Sequence, residues 1–496
     1  MILIILFLIF GLWIFHNYYW KRKDLPPGPP PLPLIGNVLS INKHGLEKFF
    51  TGLKNDYGDI HTFWFGETPV VSINDVPTIL ETFVKDGETY AGRPIHMLVN
   101  DMTRHGRNGL IFTDGPVWRE HRRFALHVLR DFGMGKNLMQ ERVLDEVTTL
   151  IEGIKKQIAT GKNEISIQNA IEIGVGSVIN ALLFGYSFTK HKPDQFYELK
   201  AYLKDFMRGV GNPLVRFCDR NPLMFKALPF LYREVTRTSN LLESFFMNQL
   251  EAHKKEINFD ANIEPTDYAE AFLKRRKELE AEGIEDHTFT DKQLFGACLD
   301  LWIAGQETTT NTLSWMVIYL MLNPEVQKKV HAELDEVIAS DRFVTVEDKT
   351  KLNYINAVIA ETQRFCNLVP LNVNHRVVKD VEIKGYRIPA NTTILHQISS
   401  VLFDERYFPE PTKFKPERFL DSDGRFSQPS SLMPFGVGKR SCLGEGLAKL
   451  ELYLFTANIF NHFEMTVIPS NPPNTVRIVS GTVQPEPYLT YIKSRF

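Results

Sequence analysis

The chain has 496 residues and 43% hydrophobic content, ample for a sizeable core in one very large domain or a few ordinary ones. Its 57 basic and 59 acidic residues leave a formal charge of −2, which excludes a global drive toward nucleic acid and leaves any charged partner to a local patch. Four scattered cysteines, Cys218, Cys298, Cys366 and Cys442, form no C-x-x-C pair, which argues against both a disulfide framework and a zinc site.

Ile2 to Phe15 is almost unbroken Ile, Leu and Phe, followed by aromatic Tyr18, Tyr19 and Trp20 and the basic triplet Lys21, Arg22 and Lys23. With its interfacial aromatics this run approaches the roughly 20 residues a bilayer requires. A cleaved signal peptide fits less well, because the positive charge follows the apolar run and no small-residue cleavage site appears. Residues 1–23 therefore read as a transmembrane anchor, with the basic triplet and the bulk of the chain on the cytosolic side. Pro26 to Pro33 fixes φ repeatedly and predicts a stiff polyproline rod, so residues 24–37 read as a hinge. The sequon at Asn391 carries weight only if that region faces a secretory lumen, which this orientation denies.

Ile60 to Phe65 and Pro69 to Ile73 have the β-branched and aromatic content of two short strands joined at Gly66. Trp118 and Arg122 lie four apart, on one helix face. From Asn180 to Tyr232 the pattern is helical, with Phe206, Met207, Phe225 and Phe230 set among Gly and Pro breaks. Lys254 to Glu285 is highly charged with little periodic apolar content and reads as a solvated face or loop.

Thr290-Asp-Lys-Gln293 is a capping box that opens a long helix running through Ala304, Gly305, Glu307 and Thr308. Gly305 in mid-helix costs about 1 kcal/mol relative to Ala. A threonine beside it can bond back to the i−4 carbonyl and bend the helix, producing a notch with an acid and a hydroxyl at its edge. Glu361 and Arg364, at i and i+3, read by themselves as a surface ion pair.

Pro434 to Gly444 presents one cysteine on a tight loop. Gly436 and Gly438 let the backbone take positive φ and approach a flat partner, and Leu443, Leu447, Leu450 and Leu454 predict an amphipathic helix with Cys442 at its N-terminus. There the helix dipole would stabilise a thiolate, and Arg440 would supply a cation for a carboxylate on the ligand. An isolated cysteine before a helix is more often a buried structural residue. The full pattern argues otherwise: Phe435, Gly438, Arg440, Cys442 and Gly444 fill F-x-x-G-x-R-x-C-x-G, which resembles the haem-ligand signature of the cytochrome P450 superfamily.

The likeness extends along the chain. The proline run resembles the hinge of microsomal cytochromes P450, Trp118 and Arg122 match W-x-x-x-R, and Leu129 to Lys136 and Pro324 to Val337 look like the microsomal family 2 type. Ala304-Gly305-x-Glu307-Thr308 resembles the oxygen-activation motif, and Arg418 of Pro416-Glu417-Arg418-Phe419 would join Glu361 and Arg364 in a buried network. Asn374 departs from the family by replacing the proline usual before His375.

The resemblance implies a mostly α fold with a small β region, the cytochrome P450 fold behind an N-terminal membrane anchor helix, with residues 38–496 as the catalytic domain. It implies haem b with Cys442 as axial thiolate and metal ligand. Trp118, Arg122, His375 and Arg440 would bind propionates and Phe435 would contact the cofactor. Ala304 and Gly305 would line the oxygen groove, and Glu307 and Thr308 would manage protons. The implied activity is a monooxygenase that inserts one atom of O2 into a lipophilic xenobiotic, fatty acid or steroid-like substrate. Electrons would come from NADPH through a separate NADPH-cytochrome P450 reductase, with cytochrome b5 as a second donor, at the endoplasmic reticulum membrane. Arg119, Arg123, Arg130, Lys136 and Lys439 would form the acidic reductase's docking patch. A haem-thiolate isomerase or dehydratase acting on hydroperoxides, and a non-catalytic haem sensor, stay open as alternatives; the Glu307/Thr308 pair speaks against both.

Overall fold

The computed structural model describes residues 2–33, 35–40, 46–95, 98–132, 137–219, 225, 227–259, 264–479 and 481–496. They form two compact units, one of Met1–Met97, Val369–Pro411 and Met433–Cys442 and one of Leu98–Leu368, Thr412–Leu432 and Leu443–Phe496.

The first unit starts with helix α1 (Ile2–Tyr18), whose Phe7, Leu8, Ile9, Phe10 and Leu12 are all exposed. Apolar side chains turned outward on every face suit a bilayer and have no partner in water. Just beyond it, Lys21 donates to Asn17 Oδ1 at 2.8 Å, pairs with Glu67 and stands 4.7 Å from the Trp64 ring centroid. The proline run lies along a strand edge: Thr62 N donates to Pro27 O at 2.8 Å, and a Cβ at Gly28 would overlap the Thr62 carbonyl. Asn37 closes the contact, donating from its N to Trp64 O at 2.9 Å and accepting from Trp64 N at 2.8 Å.

Strands β1 (Ile60–Phe65) and β2 (Thr68–Ile73) form an antiparallel hairpin with Ile60 opposite Ile73 and Phe65 opposite Thr68. Strand β2 runs parallel to β7 (Thr393–His396), which pairs antiparallel with β4 (His375–Arg376), giving the order β1-β2-β7-β4. Helix α2 (Leu46–Tyr57) covers one face, with Phe49, Phe50 and Leu53 against Phe63, Val70 and Leu395. Burial of each such side chain stabilises the unit by about 1.5–3 kcal/mol. A small hairpin of β5 (Val381–Ile383) and β6 (Tyr386–Ile388) completes this unit's strands among the described residues.

The second unit is helical: α3 (Gly115–Asp131), α4 (Asn137–Ala159), α5 (Ile167–Phe184), α6 (Pro193–Gly211), α7 (Pro229–Lys254), α8 (Tyr268–Ala281), α9 (Asp291–Leu322), α10 (Pro324–Val337), α11 (Asn353–Cys366) and α12 (Glu445–His462). Its sheet has the order β3 (Glu164–Ile165), β11 (Thr490–Ser494), β8 (Phe463–Thr466), beside a hairpin of β9 (Ile478–Val479) and β10 (Val483–Gln484). Helix α5 is apolar and long enough to cross a membrane, yet 72% of it is buried, which makes it a core helix. The fold is thus mostly α with a small β region, as expected.

The charged stretch Lys254 to Glu285, expected as a solvated face or a loop, holds a helix with one solvated and one buried face. Residues 268–281 are helix α8, capped by Asp267 accepting from Glu270 N at 2.9 Å, and Tyr268, Ala269, Phe272, Leu273 and Leu279 are buried. Two aromatic residues four apart are enough to dock one face while the charges stay outside. Gly133 to Lys136 of the family 2-like stretch lie outside the described residues, so Lys136 of the docking patch does too.

Candidate active site

The cysteine loop folds as its glycines require. Gly436 and Gly438 have φ of 68° and 74°, and a Cβ at Gly438 would overlap the Phe83 carbonyl oxygen. Cys442 N donates to Phe435 O at 2.9 Å, closing the loop. Cys218, Cys298 and Cys366 are buried, whereas Cys442 is exposed.

Two expectations need correction. Gly444 caps α12, which begins at Glu445, so Cys442 stands two residues before the cap, outside the helix. The dipole acts mainly within the first turn. Helix α12 is also buried around its circumference from Glu451 to His462, so it is a core helix and not an amphipathic one.

Around the loop, Arg440 Nε donates to Ala91 O at 2.8 Å. His375 is buried, and its Nδ1 lies 2.8 Å from Tyr90 O, a carbonyl that can only accept, so Nδ1 carries the proton and Nε2 is the ring's second nitrogen. Burial, with Arg93 and His396 nearby, holds its pKa well below the ordinary histidine value. Arg93 Nη1 donates to Asn374 O at 2.8 Å and Val373 O at 3.2 Å, fixing the backbone where asparagine replaces proline.

In the second unit, Trp118 is buried on α3 and the Arg122 guanidinium lies 5.9 Å from its ring centroid. Arg119, Arg123 and Arg130 are exposed and recur on one face of α3. Lys439 is exposed in the first unit, 3.5 Å from Glu88.

Helix α9 carries the notch. Thr290 Oγ1 accepts from Gln293 N at 3.2 Å, but Gln293 does not reach back to complete a capping box; its amide instead brackets Gly109, accepting from N at 2.9 Å and donating to O at 3.1 Å. Thr308 Oγ1 donates to Ala304 O at 2.6 Å, the i−4 bond expected beside Gly305. A Cβ at Gly305 would collide with Ile179 of α5, and Ala304 is exposed within an otherwise largely buried helix. Glu307 turns to amides: its Oε2 accepts from Gln484 Nε2 at 2.9 Å and Asn311 Nδ2 at 3.3 Å. Burial and the Glu172 carboxylate push the Glu307 pKa up, against the opposing pull of Asn311, Lys200 and Gln484.

Glu361 and Arg364 are no surface pair. Both are fully buried, with Arg364 Nε and Nη2 donating to Glu361 at 2.7 Å and 2.8 Å, and Lys415 N and Arg418 Nε adding donors at 2.8 Å and 3.2 Å.

Three groups have partners that sequence reasoning did not name. Asp300 accepts from Arg104 Nε and Nη2 at 2.9 Å and 2.6 Å and from Leu110 N and Ile111 N at 2.8 Å and 2.9 Å, clipping residues 104–111 to α9. Gln484 sits 177 positions from Glu307, with no local signal of the contact. Glu451, buried on α12, accepts among the described residues only from Thr309 Oγ1 at 3.3 Å, and burial pushes its pKa up to about 8; an acid in an apolar helix turn was its visible sign.

An accessible sulfur on a glycine loop can ligate a metal in a flat macrocycle, and indole, guanidinium and imidazole donors suit the carboxylate arms of such a group. With a helix notched beside an acid and a hydroxyl, these residues fit a haem-thiolate protein that activates oxygen. The family model for Cytochrome P450 matches residues 26–491. The chain is 34% identical to cytochrome P450 2C8 of Homo sapiens over 482 residues, covering 97% of this chain and 95% of that protein. It is also 34% identical to cytochrome P450 2C16 of Oryctolagus cuniculus, over 95% of this chain and 94% of the relative, and to cytochrome P450 2B19 of Mus musculus, over 100% and 99%. The chain belongs to the cytochrome P450 family. It is an oxidoreductase, a monooxygenase that uses haem iron with cysteine-thiolate ligation and O2.

Proposed function

We propose that this monooxygenase oxidises a lipophilic substrate of the xenobiotic, fatty acid or steroid-like kind, with Cys442 as the thiolate ligand. Residues 1–23 anchor it to the endoplasmic reticulum membrane, residues 24–37 form the hinge, and residues 38–496 form the catalytic domain on the cytosolic side. Electrons come from NADPH through a separate reductase, with cytochrome b5 as an additional donor, and the exposed arginines of α3 supply a cationic docking face. Bound haem supplies the oxygen-activating chemistry, which the protein tunes.

The chain's own residues hold, orient and supply protons. Trp118, Arg122, His375 and Arg440 would hold the propionates and Phe435 would contact the cofactor. His375 Nδ1–H is engaged by Tyr90, which leaves Nε2 as the nitrogen that would face a carboxylate. Ala304 and Gly305 leave room for O2 beside the notch. Glu307, held toward its neutral form, is poised as a proton donor, and Thr308 carries the nearest hydroxyl in sequence. Thr308 donates to Ala304 and its oxygen can still accept, while Gln484 and Asn311 both meet Glu307 at Oε2, so a shared water can be held without breaking these contacts.

The observation that carries this reading is Cys442, the exposed cysteine on a loop closed by its own backbone N–H. The reduced, carbon monoxide-bound protein should show the red-shifted Soret band of thiolate ligation, and Cys442→Ala should abolish it. Loss of that band in Cys218→Ala, Cys298→Ala or Cys366→Ala, with Cys442→Ala unaffected, would overturn the assignment.

A further inference from the structure

In the second unit a half-open cleft of about 490 Å³ lies between the end of α5, the start of α6 and the later turns of α7. None of its lining residues is assigned above to haem, oxygen or proton handling. Its size falls in the range of roughly 300–1,000 Å³ usual for small-molecule sites. Phe184, Leu241 and Phe245 give it an apolar wall, and the rings of Tyr186 and Tyr202 continue that surface.

The polar groups on the cleft are unequally satisfied. Two of its acceptors are engaged: Glu198 takes the Tyr202 hydroxyl at 2.7 Å and Gln249 Oε1 takes the Tyr186 hydroxyl at 2.9 Å, while Glu256 is exposed. Its donors are not engaged. Lys192 stands 4.6 Å from the Tyr186 ring centroid and has no carboxylate partner among the described residues. The amide nitrogen of Gln249, a side chain more than nine-tenths buried, has no hydrogen-bond partner among the described residues. Lys192 also caps α6, so the positive end of a 19-residue helix adds to its charge. An aromatic face, an uncompensated cation and a buried donor lacking an acceptor together call for an anion carried on an apolar body.

We infer that this cleft binds a small amphiphilic carboxylate, its apolar part against Phe184 and Phe245 and its carboxylate on Lys192. Because α6 and α7 both line it, an occupant would bridge those two helices.

The test uses the full-length haem-loaded protein and 2-naphthoate, measured by equilibrium dialysis while the Soret band is watched. Saturable binding without a Soret shift is expected. Lys192→Met should weaken it about tenfold, as loss of one charge-assisted contact would. Asn248→Trp, at an exposed lining position, should abolish it by filling the cleft. Both variants should keep the reduced carbon monoxide band, and Ser244→Trp replaces Asn248→Trp if that protein does not. Binding only with a Soret shift would place the probe at the haem and overturn the inference, as would unchanged affinity in both variants. Equal affinity for neutral 2-naphthamide would overturn the carboxylate assignment. Failure of the Cys442 assignment would show in the carbon monoxide band and leave the dialysis result standing.

Discussion

Two glutamates of the helical unit show how one side chain is put to opposite uses. Glu361 is met by Arg364, Arg418 and the Lys415 backbone N–H, so its oxygens face cationic or backbone donors on every contact named. Glu307 is met by two neutral amides, with another carboxylate near enough to raise its proton affinity. A cationic shell makes a carboxylate a fixed part of the scaffold, because removing either partner strands a buried charge. A neutral shell leaves the proton free to come and go.

The largest effect should come from breaking the first arrangement. Arg364→Leu leaves Glu361 buried with a reduced set of donors and should destabilise the protein by about 3–5 kcal/mol, the range for stranding one half of a buried pair. Thermal unfolding and the yield of protein with the thiolate Soret band report it. A near wild-type melting curve would mean that Arg418 and Lys415 suffice, and that the contrast with Glu307 is one of degree.

Glu451 sharpens the comparison, since it is as buried as Glu361 and has, among the described residues, one hydroxyl for a partner. Its folded pKa of about 8 lies above that of an unfolded glutamate. An acid with a raised folded pKa favours folding most at low pH, and that contribution is lost as pH rises toward the folded value. Between pH 5 and pH 8 this group alone should therefore lower stability by up to about 1.4 kcal/mol per pH unit. Glu451→Gln should remove that slope. Parallel melting-temperature profiles for wild type and variant across this interval would show that Glu451 titrates as an ordinary acid.

These outcomes bear on how far the sequence could be read. The hairpin of β1 and β2 fell within one residue of its predicted limits because β-branched and aromatic runs bounded by a glycine are a local signal. The start of α9 and the back-bonding of Thr308 were equally local. Trp118, Cys442 and the joining of Arg418 to Glu361 and Arg364 became visible through motif order, not through propensity. Helix α8 was hidden because two buried aromatic residues were outnumbered by surface charge. The partners of Glu307, Asp300 and Glu451 were out of reach for another reason: Gln484, Arg104 and Thr309 meet them through tertiary packing, and nothing in the chain records such contacts locally.

The smallest effects, and the most diagnostic, belong to the notch. If Glu307 donates protons and Thr308 orders the water that carries them, Thr308→Ala should keep folding, haem content and NADPH consumption. It should yield roughly tenfold less oxidised product per NADPH and correspondingly more hydrogen peroxide, at or below the low end of acid–base effects. Glu307→Gln should fail in the same direction. Gln484→Leu is the finer probe, because Gln484 supplies a hydrogen bond that favours the ionised form of Glu307. Removing a bond that prefers the carboxylate over the neutral acid by about 1 kcal/mol raises the Glu307 pKa further. Coupling, which needs the protonated form, should then persist to higher pH, with its falling limb displaced upward by less than about one unit. A displacement to lower pH would mean that Gln484 holds Glu307 protonated, reversing the sign of its role. An unmoved profile, with both notch variants fully coupled, would assign proton supply to a group other than Glu307 and leave Gln484 a purely structural tie between β10 and α9.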